Sequence, residues 1–207
     1  MSILDLFMRG GLLMYVLLVI SFVVLAIVLE KYRLLRRIKK QIQALHAALS
    51  GATSIKEIKS GIDSAEGDNP LGQMLRKLIS SDTDDVSLIK ESIESTAVME
   101  LTKLEKGMGW LSTCAAIAPL IGFLGTVIGM VNVFMSIQTQ SQSGVDITVL
   151  AGGIWEALLT TIGGLIVGII AIILYNDLVQ HLENIAKDLQ DHLIQYLIRF
   201  KSIKSGN

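Results

Sequence analysis

The sequence predicts an all-α integral membrane protein with three transmembrane helices and long cytoplasmic helical extensions. Three observations carry that expectation. Apolar residues make up 51% of the 207 and charged residues only 18%, too oily for an ordinary soluble domain. Three stretches, Gly10–Leu29, Trp110–Ile137 and the interval between Asp146 and Asp177, are long and almost free of charge. A bilayer core of about 30 Å needs about 20 such residues as helix. Two prolines and 5% aromatics also argue against a small β-sandwich or a Pro-rich disordered chain.

The first element, residues 1–30, is an N-terminal segment and span one. Arg9 is nearly cancelled by Asp5, the apolar run exceeds a signal-peptide core, and no A-x-A site follows. A signal-anchor is therefore expected rather than a cleaved leader. Residues 30–40 then hold six Lys and Arg (31, 33, 36, 37, 39 and 40) against Glu30 alone, which places that end of the helix in the cytoplasm. The N-terminus is expected outside.

Residues 31–106 read as a cytoplasmic helical region. Asn69-Pro70 is an N-cap followed by Pro at the first helical position, and Leu71, Met74, Leu75, Leu78 and Ile79 follow at helical spacing. Asp82, Asp84 and Asp85 favour a second helix start. From there Val86, Ile89, Ile93, Ala97, Leu101 and Leu104 form a stripe with no break strong enough to end the helix before the membrane. Gly51, Gly61 and Gly67 are read as punctuation between short helices.

Residues 107–137 form span two, 138–146 a polar periplasmic loop without Lys or Arg, and 147–176 span three. Residues 177–207 form a cytoplasmic C-terminal helix. Its stripe of Leu178, Leu182, Ile185, Leu189, Leu193 and Leu197 faces away from Glu183, Lys187, Asp188 and Asp191, as for a helix packed on 86–105. Its polar face is not basic, which disfavours a membrane-surface anchor, and 201–207 are expected to fray.

Several functions are excluded at this level. A net charge of −1 gives no general attraction to nucleic acid. One cysteine cannot build a disulfide framework, and Cys114 with three scattered histidines makes no zinc motif. Cys114 reads as a small hydrophobe, and His46, His181 and His192 as solvated side chains. No P-loop, HExxH or nucleophile–base pair occurs. No enzyme and no cofactor is expected.

The chemistry lies in spans two and three. Ala118, Gly122, Gly125 and Gly129 recur at three- and four-residue steps, as do Ala157, Thr161, Gly164 and Gly168. Gly125/Gly129 and Gly164/Gly168 are GxxxG pairs, which first of all mean close helix packing. Thr126 and Thr161 both fall within a few Å of the midplane at about 1.5 Å per residue. Either they line a polar ring, or each back-bonds to a carbonyl of its own helix. Glu156 is the single charge in span three, and an intramembrane carboxylate points to an ion route, an entrance or a subunit contact. It lies about 140° around the helix from Thr161, so the two cannot both face one axis. Pro119 is expected to kink span two, and Asn132 and Asn176 to cap or cross-link helices.

Two segments then resemble a known family. Ala118-Pro-Leu-Ile-Gly-Phe-Leu-Gly-Thr-Val-Ile-Gly-Met130 resembles the second-helix signature of the MotA/TolQ/ExbB family. Ile154-Trp-Glu-Ala-Leu-Leu-Thr-Thr-Ile-Gly-Gly-Leu165, followed by Tyr175-Asn176, resembles the third. Three spans rather than MotA's four favour the ExbB/TolQ branch. The resemblance implies a homopentamer in the bacterial inner membrane, surrounding a dimer of a one-span ExbD/TolR-like partner that carries an intramembrane Asp. Ion flow, H⁺ or Na⁺, would drive relative rotation and deliver work to a TonB-like energy transducer or to Tol-Pal. The family's pore hydroxyls match Thr126 and Thr161, and its intramembrane Glu matches Glu156. One departure is Val167-Gly-Ile-Ile-Ala171, where members often have Pro in place of Ile170, so this helix is expected to be straighter there. The competing readings are a stand-alone channel or transporter and a structural scaffold for a partner helix.

Overall fold

A computed structural model describes residues 11–52, 54–64, 69–81, 85–139 and 147–205. Among these, every regular element is a helix. They are α1 (Gly11–Leu49), α2 (Ile55–Ser64), α3 (Pro70–Ile79), α4 (Val86–Glu105), α5 (Met108–Thr139) and α6 (Ile147–Ser205). The expected N-terminal segment before Gly11 and nearly all of the 138–146 loop lie outside the described residues, as does Gly67.

Three of the helices, α1, α5 and α6, are long and apolar enough to cross a membrane. Their side chains explain why. Leu12, Phe22, Trp110, Phe123, Phe134 and Ile173 are each 60% or more exposed within the chain. Side chains of that size turned outward in such number need an apolar solvent or a protein partner.

The chain divides into two units. The first comprises residues 11–29 and 107–177 among those described, and the second 30–106 and 178–205. In the first, Met14, Leu17 and Ala118 form a small buried core, with Ile20, Ile121, Leu159 and Val167 packed against it. Three helices therefore meet where α1 and α5 each offer one narrow apolar face.

The second unit is built on α3. Asn69 caps it through its side-chain oxygen, which accepts from the Leu71 N–H at 3.0 Å, while its amide donates to the Gln41 carbonyl at 3.0 Å. Leu71, Met74, Leu75 and Leu78 are buried as their spacing requires. Asp85 caps α4, accepting from the Ser87 N–H and hydroxyl, and these bonds hold its carboxyl below the ordinary carboxylate range. Ile89, Ile93 and Leu104 are buried along α4. At its far end the Lys31 ammonium, 5% exposed, donates to the Leu104 carbonyl at 3.1 Å.

Three sequence expectations are corrected here. The helix from 86 does not run unbroken into span two. It ends at Lys106, whose N–H donates to the Thr102 carbonyl, and Gly107 takes φ 91°, a conformation only glycine adopts without strain. Gly61 does not punctuate: it lies inside α2, where a Cβ would sit 2.5 Å from Leu49 Cδ2, so its bareness serves packing. The C-terminal helix extends to Ser205. The C-terminal stripe (Leu178, Ile185, Leu189 and Leu193) is buried, and polar and ring contacts join that tail to α1. His46 and His192 belong to those contacts, so they are not simply solvated.

Candidate functional site: the seam between the second and third apolar helices

Gly129 meets Ala157, Gly125 meets Thr160, Gly122 meets Thr161 and Gly164, and Pro119 meets Gly168. Residue numbers rise along one helix as they fall along the other, so α5 and α6 are antiparallel. Their separation is set by the absence of side chains. A Cβ on Gly164 would lie 2.6 Å from the Ala118 carbonyl oxygen and 2.8 Å from the Gly122 Cα. One on Gly125 would lie 2.6 Å from Thr160 Cγ2, and one on Gly129 2.7 Å from Ala157 Cβ. All five glycines singled out from the sequence therefore sit in one backbone-to-backbone seam.

The seam also accommodates Pro119. The helix runs on through it, although its ring nitrogen leaves the Ala115 carbonyl without its usual partner. That oxygen faces Gly168, where a Cβ would stand 3.2 Å away and beside the proline ring. On the other side, α6 continues unbroken through Ile170.

The two threonines differ. Thr161 does not back-bond: its hydroxyl donates across the seam to the Gly122 carbonyl at 2.8 Å. Thr126 bonds within its own helix, to the Phe123 carbonyl at 2.7 Å. Because Thr126 follows Gly122 by four residues, it lies about 6 Å further along the same helix. The seam thus holds the Thr161 hydroxyl, with Thr126 on the neighbouring flank of α5. Each has spent its proton on a carbonyl and keeps oxygen lone pairs to accept with.

Thr160, adjacent in sequence, is the fully buried hydroxyl: it is 2% exposed, fills the groove at Gly125 and donates to the Glu156 carbonyl at 2.9 Å. The sequence reading assigns it no place in the helix packing. The signal for its role was the bare Gly125 opposite it.

The structure does not bring Glu156 to Thr161. The Glu156 side chain is exposed within the chain and rests against Gly11, the first residue of α1, where an added Cβ would collide with its Oε1. Gly11 has φ 67°. A carboxylate beside the first turn of a helix meets the positive end of its dipole, and α1 has no acidic residue of its own there. Cys114 is half-buried, and the Asn132 carbonyl accepts from Ser136 at 2.9 Å. Among the described residues, no three His, Cys, Asp or Glu gather to hold a metal ion.

Comparison with known proteins places the chain in a family. Residues 66–191 match the model of the MotA/TolQ/ExbB proton channel family. The chain is 27% identical over 180 residues to an ExbB homolog of Methanothermobacter thermautotrophicus, covering 84% of this chain and 62% of that one. It is 39% identical over 94 residues to the biopolymer transport protein ExbB of Salmonella typhimurium, covering 45% of this chain and 37% of that one. It is 24% identical over 213 residues to the Tol-Pal system protein TolQ of Haemophilus influenzae, covering 95% and 92%. The match thus spans less than two thirds of either ExbB relative. The matched family model covers more than half of this chain, and both segments of the seam fall within it: the chain belongs to the MotA/TolQ/ExbB proton channel family.

Proposed function

We propose that the chain is the ion-conducting subunit of a membrane motor. Five copies surround a dimer of a one-span ExbD/TolR-type partner in the inner membrane, with the N-terminus periplasmic and the C-terminus cytoplasmic. Proton-motive force is converted into mechanical work, delivered to a TonB-like transducer for outer-membrane import or to Tol-Pal. The observation that carries this reading is the seam itself. It sets the Thr161 hydroxyl between two family-matching helices, with Thr126 further along the same helix as its Gly122 partner, and both oxygens keep lone pairs to accept with.

The chemistry follows from those lone pairs. A protonated carboxyl on a partner helix is a donor, and so is a hydrated proton. Both find acceptors at Thr126 and Thr161, whose own protons are engaged. A deprotonated carboxylate would find no donor there and would be expelled toward water. Two protonation states thus bind the seam differently, which a cycle requires. Five subunits around two helices are mismatched in symmetry, so each protonation changes which subunit is engaged. Glu156, seated at the head of α1, supports an entrance or subunit contact better than a place on the Thr161 face.

The test is Thr161→Val in vesicles containing both proteins. Removing the hydroxyl at nearly constant shape should abolish partner-dependent ion flux while assembly persists. A Thr161→Val complex that conducts normally would overturn the pore role. Flux from this chain without a partner would favour a stand-alone channel. Partner binding and work output indifferent to both Thr161→Val and Glu156→Ala would favour a scaffold.

A further inference from the structure

We propose that His46 and His192 form a pH-operated latch, which holds the last turns of α6 on the C-terminal end of α1 at neutral pH and releases them on acidification. The latch does not depend on the chain conducting ions.

The geometry is specific. The two imidazoles stack with ring centroids 4.0 Å apart and planes 25° from parallel. The Tyr196 hydroxyl lies 3.3 Å from His46 Nδ1, and its ring meets His46 edge-on at 5.9 Å. One turn further, the Arg199 guanidinium donates to the Leu49 and Ser50 carbonyls, both at 3.1 Å. It thereby satisfies the open carbonyl end of α1 from another part of the chain. His192 Nδ1 is buried without a hydrogen-bond partner.

The stacking and the unpartnered nitrogen both favour a neutral His192. A protonated imidazole carries N–H on both nitrogens, and an Nδ1–H on His192 would be buried with no acceptor. Protonating both rings would stack two cations at 4.0 Å. A charged His46 could only donate through Nδ1, so it could no longer accept the Tyr196 hydroxyl proton there. The groups that face the pair are His46 from α1, and Tyr196, Arg199, Asp188 and Asp191 from α6. The two aspartates favour a charged His192 but do not prevail. Burial first and His46 second hold His192 below its ordinary 6.5, while burial also pushes the Tyr196 hydroxyl up.

The direction of the pH effect follows. Below 6.5 an unfolded or detached His192 takes up a proton that the latched one refuses, so the open state binds more protons. The latch is complete above 6.5 and weakens as pH falls from there toward the lowered pKa of the latched ring. Because the rings bridge two helices, what is lost is their joint rather than either helix.

Hydrogen exchange read by mass spectrometry on the full chain in detergent tests this, at pH 7.5 and 5.5 with times corrected for intrinsic rates. Protection over 186–205 should fall several-fold at the lower pH, while 70–79 stays unchanged. His192→Phe keeps a stacked ring that cannot titrate, and it should remove the pH step. Equal protection of the wild-type tail at both values, or a step that survives in both His192→Phe and His46→Phe, would overturn the latch. Should the variants not fold, exchange at the histidine Cε1 of the wild-type chain decides: a His192 midpoint at or above 6.5 would refute it.

Discussion

Substituting Gly164 by Ala puts the seam to a quantitative test. The new Cβ would stand 2.6 Å from the Ala118 carbonyl oxygen and 2.8 Å from the Gly122 Cα, where 3.4 Å is the onset of ordinary contact. Both neighbours are backbone, so no side chain can turn aside. The helices must part by roughly 0.8 Å or bend. Overpacking of this kind costs about 1–3 kcal/mol. Ala is also a better helix former than Gly by about 1 kcal/mol, which offsets part of that loss. Gly152 removes the ambiguity, because a Cβ there meets nothing within 4 Å. Both variants gain the same propensity, so their difference isolates the steric cost. The assay is SDS-induced unfolding from detergent, followed by circular dichroism. Gly164→Ala is expected to be less stable than Gly152→Ala by about 1–3 kcal/mol. Equal stability within about 0.5 kcal/mol would show that these backbones are not in contact at Gly164 and refute the seam.

Two further perturbations address the second unit. Asn69→Ala removes the cap of α3 and the bond to the Gln41 carbonyl together. It should lower stability by about 1–3 kcal/mol and speed exchange over 70–79, whereas Asn69→Asp keeps the cap and should cost less. Lys31→Met removes the ammonium donor from the Leu104 carbonyl but keeps the buried stem, so a net loss near about 1 kcal/mol is expected, with faster exchange confined to 102–106.

Where sequence and structure agree, one helix carries its own signal. Gly122, Gly125, Gly129, Gly164 and Gly168 declare a close-packed seam because only packing rewards bare glycine inside a helix. Asn69-Pro70 declares its cap because side-chain chemistry and a missing N–H act within three residues. Where sequence reading falls short, the deciding partner is distant in the chain. Thr161 had two local alternatives, a polar ring or a bond to its own helix. It takes the carbonyl of Gly122, 39 residues away, because an antiparallel register sets that oxygen opposite it. His46 and His192 look solvated one at a time, since nothing local announces that α1 and the end of α6 run alongside each other. The end of α4 escapes the sequence for another reason: the stripe from Val86 to Leu104 shows no strong break, whereas Gly107 takes a φ of 91° and turns the chain.

The central claim is that this chain works as a pentameric motor subunit around a partner helix pair. Native mass spectrometry of the detergent-purified protein, co-expressed with the one-span ExbD/TolR-like protein of its own genome, tests it most directly. The account predicts five copies of this chain with two of the partner. A pentamer that never retains the partner, or any other stoichiometry, would contradict it.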